Sequence, residues 1–281
     1  MKLSNNIYKL PLVFLILVVA GCTEKIDVKL DNTYKRLVVD AVITSDTTVH
    51  QVKLSTTTDY FFNEPAPPVS NAIVTISDGT ETIILKENSQ FPGIYETPAN
   101  FYGLAGKTYK LEIKLDNAIN GNATYEAISE MHPVAPLDSI KLKLIPEWDV
   151  IAVQTYAQDP LSVDYYMFKT FKNGKLLSDT LNKVFITDDK LFNGSYTNGI
   201  PASYLDQKNL LEKVKPGDTI TLQIAGITRD YFNFISDVQS GTGFNNPLFG
   251  GPPANIRGNI NKGAIGFFAA YSVHYASTLA H

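Results

Sequence analysis

Apolar and polar positions alternate over most of the chain with a period of two, the signature of strands with one dry and one wet face. The clearest case is Thr108–Leu115, where Tyr109, Leu111, Ile113 and Leu115 share one side and Lys110, Glu112 and Lys114 the other. Arg36–Ile43, Val49–Thr57, Gly93–Thr97 and Asn122–Ser129 read as strands of the same kind. Ala72–Ser77 and Thr80–Leu85 flank Asp78-Gly79, a turn pair that tolerates positive φ, which predicts a hairpin. His132-Pro133-Val134-Ala135-Pro136 breaks the pattern, because each proline removes a backbone donor and biases its predecessor to extended geometry. Beyond it, Ile140–Ile145, Val163–Phe171, Lys175–Leu177, Lys183–Thr187 and Thr219–Ile224 read as strands, with Asn173-Gly174 as a second hairpin turn. Pro201–Val214 has leucine spacing that predicts a short helix. Thr228–Ser240 places Tyr231, Phe234, Ile235 and Val238 at i, i+3, i+4 and i+7, which predicts a firmer one. Ala264–Tyr275 is apolar on both faces and is expected to be a central strand. The fold class is therefore mainly β: an immunoglobulin-like or transthyretin-like β-sandwich over 36–134, then a second β-rich domain over 135–281 with one or two short helices.

The start of the chain follows a different rule. Leu10–Ala20 is a continuous apolar run behind Lys2 and Lys9. It is too short for a bilayer span, which needs about 20 residues, and has the length of a signal-peptide core. It ends in Val19-Ala20-Gly21-Cys22, which resembles the lipobox of bacterial lipoproteins. That resemblance implies a leader over 1–21, removed before Cys22, and acyl chains on Cys22 that attach the body to a membrane. Residues 22–35 are short and polar and read as the tether. Its acids Glu24, Asp27 and Asp31 resemble the acidic stretch after the lipid cysteine of surface-exported Bacteroidota lipoproteins; a solvated linker is the alternative.

Charge narrows the partners. Taking the leader's two lysines from the chain's 24 basic residues leaves 22 against 28 acidic ones, a net charge of −6, with no basic cluster. Nucleic acid is not expected as a partner, because it is bound through concentrated positive charge. The single cysteine belongs to the lipobox, so no disulfide, cysteine metal site or mature cysteine nucleophile is expected.

Motifs of catalysis are lacking. His50, His132, His274 and His281 have no metal-ligand spacing, and there is no Gly-x-Ser-x-Gly elbow, phosphate loop or dinucleotide fingerprint. Asp188-Asp189 with Asn193-Gly194 lacks the alternation of a calcium loop. No metal, no cofactor and no enzymatic activity are expected. Aromatic residues near loops are more suggestive: Phe101-Tyr102, Tyr165-Tyr166, Phe244 and Phe249, and above all Tyr60-Phe61-Phe62 before the proline-rich stretch Glu64–Pro68. Such rings either cap a sandwich end or form a binding loop. Tyr60, Phe61 and Phe62 are the leading candidates for the latter.

The order RLVVDAVIT, VKLSTTTDYF, VSNAIVTISDG, PGIYET, GLAGKTYKLEI, YEA, PLDSI and NPLFGGPPANIRGNINKGAIGFFAAYSV resembles the Bacteroidota lipoprotein family of unknown function DUF4249 over nearly the whole mature chain. That resemblance implies a lipid-anchored protein of the outer membrane, on its periplasmic or its outer side. Many members are encoded beside TonB-dependent receptors, so it also implies an accessory binding role in uptake of a glycan or peptide, and it transfers no catalytic residues. The rival is a structural or adhesive envelope module; a hydrolase of uncharacterised type is a third reading. Asp46-Thr47-Thr48, Asp138-Ser139-Ile140, Asp179-Thr180-Leu181 and Asp218-Thr219-Ile220 resemble acceptors of Bacteroidota protein O-glycosylation, making Thr47, Ser139, Thr180 and Thr219 candidate sites. About one such tripeptide is expected from composition alone, and Asp-Ser/Thr is also ordinary turn chemistry.

Overall fold

The computed structural model describes residues 34–58, 64–242 and 256–281. The first half contains β1 (Leu37–Thr44), β2 (Gln51–Thr56), β3 (Ile73–Ser77), β4 (Thr82–Ile84), β5 (Lys86–Glu87), β6 (Ile94–Glu96), β7 (Thr108–Ile119) and β8 (Asn122–Glu130). The second contains β9 (Ser139–Ile145), β10 (Val150–Tyr156), β11 (Tyr165–Lys172), β12 (Lys175–Leu176), β13 (Phe185–Asp188), β14 (Ile200–Asp206), β15 (Thr219–Ile227), helix α1 (Arg229–Thr242) and β16 (Ile265–Leu279). A single 3-10 turn, Leu181–Lys183, precedes β13. The chain is mainly β, as the alternation predicts.

β16 is the organising strand. It pairs parallel with β1 on one edge, Phe268 opposite Ala41, and antiparallel with β15 on the other, Ala276 opposite Leu222. The resulting nine-stranded sheet runs β12-β11-β15-β16-β1-β2-β6-β5, with β13 also on β11. Strand side chains alternate between faces, so β16 serves two layers. Phe268 and Ala270 enter the core with Leu37, Val39, Ala41 and Ile43, covered by the sheet β4-β3-β7-β8 through Val74, Ile76, Leu111 and Ile113. Farther along the same face, Ile220, Leu222 and Ile224 of β15 meet Ile140, Val153 and Leu205 of the sheet β14-β10-β9. Phe267, Ala269 and Tyr271 point the other way, where Tyr231 and Ile235 of α1 pack on them with Met167 and Ala225. Each fully buried large apolar side chain contributes about 1.5–3 kcal/mol.

Two expectations need correction. Pro201–Val214 is not a helix: its first part is β14, paired with β10. The expected 36–134 and 135–281 domains also share a sheet, because four of the nine strands come from the first range and five from the second. Tyr34–His281 forms one compact unit. Pro133–Pro136 marks the place where the chain passes from one covering sheet to the other. There the Ser272 hydroxyl donates to the His132 carbonyl at 2.6 Å and Leu137 N donates to His274 Nδ1 at 3.2 Å. A Cβ on Gly226 would strike the Pro133 carbonyl, so the crossing needs glycine beneath it.

Candidate functional site

A groove of about 280 Å³ opens at one end of the first sandwich. Asp78 and Glu81 come from the β3–β4 turn, Tyr109 from β7, and Asn100, Phe101 and Tyr102 from the segment before β7. The turn is built by Asp78, whose Oδ1 accepts from Thr80 N (2.9 Å), Glu81 N (2.8 Å) and the Thr80 hydroxyl (2.8 Å). Those donors hold the Asp78 carboxyl far below the usual carboxylate range, so it stays ionised. Phe101 N donates to Pro98 O at 3.0 Å, Thr48 N donates to Phe101 O at 3.2 Å, and Leu104 N donates to the Tyr109 hydroxyl at 2.7 Å. The backbone of the aromatic segment is therefore fixed while the Tyr102 side chain stays 50% exposed.

His50 supports the groove from behind. Its ring meets Phe101 edge-on with centroids 5.5 Å apart. Thr44 N donates to Nδ1 at 3.4 Å, and Nε2 lies 3.1 Å from the Asp46 carbonyl. That pair of partners suits a neutral imidazole with its proton on Nε2. Burial is the main cause that lowers the His50 pKa from its ordinary 6.5. A depressed histidine pKa means the unfolded chain binds the proton more readily, so stability is complete above the unfolded value and is lost as pH falls through it. The urea midpoint is expected to be flat above about pH 7 and to fall as the pH drops below about 6.5, the ordinary histidine value. His50→Gln should remove most of that slope, and a slope unchanged by the substitution would discount this account.

A second cavity, about 70 Å³, lies between the β14-β10-β9 sheet and β11. Tyr166 and Phe168 of β11, Asp159 from the loop after β10 and Phe192 from the loop after β13 line it, with Phe185 beside them. Asp159 is buried. Its Oδ1 accepts from the Tyr166 hydroxyl at 2.7 Å and its Oδ2 from Gly194 N at 3.1 Å. Burial pushes the Asp159 carboxyl up, and the charges of Asp189 and Asp164 push it in the same direction. Burial, with the neighbouring Asp159, likewise raises the Tyr166 phenol. Asp189 Oδ2 accepts from Asp164 N at 2.8 Å and from Asn193 Nδ2 at 3.1 Å.

Cys22, Tyr60, Phe61, Phe62, Phe244 and Phe249 lie outside the described residues. Thr56 N donates to Pro67 O at 2.9 Å, at the other end of β2 from His50. Thr47, Ser139, Thr180 and Thr219 are all exposed. Of the aromatic pairs, Phe101 and Tyr102 both line the groove. Tyr165 and Tyr166 split across the sheet: Tyr166 enters the cavity, while Tyr165 meets Phe232 of α1 at 5.2 Å. The histidines do not converge: His50 sits behind the groove, His132 and His274 at the crossing, His281 on the surface. Asp188 pairs with Lys190 while Asp189 is buried, so these neighbours do not act together. Among the described residues, no three histidine or acidic side chains are placed to hold one metal ion. Sequence reasoning does not single out Asp159; a buried acid among 28 acids carries no local signal.

A family model described as domain of unknown function (DUF4249) matches residues 23–277. No curated protein matches the chain.

Proposed function

The chain belongs to the DUF4249 family, and from that premise we propose that it is a lipid-anchored binding protein of the outer membrane, accessory to a TonB-dependent uptake receptor. Val19-Ala20-Gly21-Cys22 supports the anchor. The observation that carries the binding role is the groove, where the Tyr102 ring stands beside the planar polar groups of Asp78, Glu81 and Asn100. An aromatic face takes the C–H side of a sugar ring or an apolar peptide side chain, and carboxylates and amides take hydroxyls or backbone amides. Tyr102→Ala is expected to weaken the tightest oligosaccharide or peptide ligand found by array screening by about tenfold, equivalent to about 1.4 kcal/mol. The thermal midpoint should be unchanged, since the ring is half exposed. Equal affinity of the two proteins would remove the groove from the binding role.

A structural or adhesive role is the second reading. Its support is an apolar tip on the second half, where Trp148 is 67%, Leu210 86% and Leu211 60% exposed. The two turns that carry them are tied by Gln207 N donating to Asp149 O at 3.0 Å. A mild-detergent pull-down from native envelopes, with the full chain tagged at its C-terminus, separates the readings. A stoichiometric TonB-dependent receptor supports uptake; a clean lane with the protein still on the membrane supports the structural module.

A further inference from the structure

The sheet beside the groove has one open edge. Asp78 N donates to Glu81 O at 3.2 Å and Leu85 N to Val74 O at 2.9 Å, on either side of the opposed pair Ile76 and Ile83. Backbone groups along an antiparallel strand alternate in direction. Glu81, Ile83 and Leu85 therefore turn theirs to β3, and Thr82 and Ile84 turn theirs outward. Among the described residues nothing meets that outer row, because β4 is the last strand of its sheet and pairs with β3 alone. The opposite edge of the same sheet is covered. There Asn261 N donates to Glu126 O at 3.0 Å, Glu126 N to Asn261 Oδ1 at 2.9 Å, and Lys262 Nζ to Thr124 O at 2.7 Å. An uncovered edge is a template for one more strand.

The groove limits what such a strand carries. Residues opposite each other on neighbouring strands share a face, and Glu81 and Ile83 both line the groove. A ligand residue opposite Ile83 thus enters it, on the side walled by Tyr102 and Leu104, whose side chains are 50% and 48% exposed. Taking that apolar surface out of water favours an apolar side chain there. In antiparallel register the ligand residue two positions later stands opposite Glu81. Among the described residues the Glu81 carboxylate has neither a hydrogen bond nor an ion pair. Asp78, its neighbour in the groove, is met by Lys107 at 3.4 Å. One unmatched negative charge suits a lysine or an arginine. A sugar offers no row of amides and carbonyls to Thr82 and Ile84, whereas an extended peptide does.

We propose that the groove takes an extended peptide, added antiparallel to the open edge of β4, with an apolar residue opposite Ile83 and a basic residue opposite Glu81. This rests on the binding role of the groove proposed above and narrows that role to one class of ligand.

The test uses the peptide N-acetyl-Thr-Ser-Leu-Thr-Lys-Ser-Thr-amide and three relatives: one with glutamate for the lysine, one N-methylated on the threonine between leucine and lysine, and one N-methylated on the leucine. Each is titrated into the full chain in detergent at pH 7.5 and followed by backbone-amide NMR. The parent is expected to saturate, and to shift the Thr82 and Ile84 amides and protect them from exchange. Methylating the threonine blocks the amide that meets Thr82 O and should weaken binding about tenfold. Methylating the leucine, whose amide points away from β4, should change it less than about twofold. Glutamate for lysine should weaken binding about fivefold, and Glu81→Lys should reverse the order of those two peptides. The thermal midpoint of that variant should stay unchanged, since the Glu81 side chain is exposed. No binding of the parent, equal effects of the two methylations, or an unreversed order with Glu81→Lys would each overturn the proposal. An oligosaccharide that binds through Tyr102 where the parent peptide does not would leave the groove its role and end the peptide assignment. Equal affinity of every probe for the unsubstituted chain and Tyr102→Ala would end both.

Discussion

A chain carrying Gly266→Ala is expected to lose at least about 3 kcal/mol of stability, measured as the loss in urea unfolding free energy. Two costs combine. Gly266 has φ +105°, a conformation in which a side chain is strained whatever its surroundings. Its Cβ would also run into the Val39 backbone, directly across the β1–β16 ladder. To make room, β1 has to move away from β16, which weakens parallel pairing that runs from Val38 to Thr44. Each ladder hydrogen bond contributes about 0.5–1.5 kcal/mol net. Gly79→Ala is the internal control, since Gly79 has φ +86° but nothing within 4 Å of the added carbon. It should cost only about 1 kcal/mol. If the two variants melt alike, close approach at Val39 is not what Gly266 provides.

The second large effect concerns attachment. Cys22→Ala is expected to move the protein almost wholly from the membrane pellet to the soluble fraction, and to remove the acyl mass from the purified chain. One acyl chain holds a protein to a bilayer only marginally and two or more hold it stably, so losing the acceptor leaves nothing comparable in its place. The chain has no other cysteine to substitute for it. The same variant should fail to recover a TonB-dependent receptor in the pull-down. Fractionation identical to the unsubstituted chain would refute the lipobox assignment.

The legibility of the fold follows the range of its interactions. The β7 alternation, the α1 face and the two hairpins depend on neighbours a few residues away, and each is readable. β14 misleads for a definable reason. Its pairing with β10 slips between Val153 and Gln154, which face Ser203 and Pro201, so Ala202 bulges out of register. The leucine spacing that suggests a helix joins Leu205, buried on β14, to Leu210 and Leu211, which lie beyond the strand and are exposed, so the three share no apolar face. β10 escapes notice because the turn before it has no glycine, Asp149 taking the positive φ of 55° instead. Sharing of one sheet by both halves is not readable, because nothing in β1 announces a parallel partner more than 200 positions away. The groove is half legible. Phe101 and Tyr102 stand out as rings near a loop, but the concavity exists only once the Asp78 turn folds against them. Asp159 is invisible, since its meaning comes from Tyr166 and from the loop that brings Asp189 near it.

The place of β16 also bears on how the molecule comes into being. Arg36 Nε reaches the carbonyl of Gly263 across 227 positions of chain, and the ladder beginning there closes the central sheet. While Ile265 to Leu279 is still unmade, β1 and β15 each present a raw edge of unpaired amides and carbonyls, the template on which chains aggregate. Long-range pairing of this kind is slow to form. Until β16 pairs with both, those two edges stay open to the wrong partners.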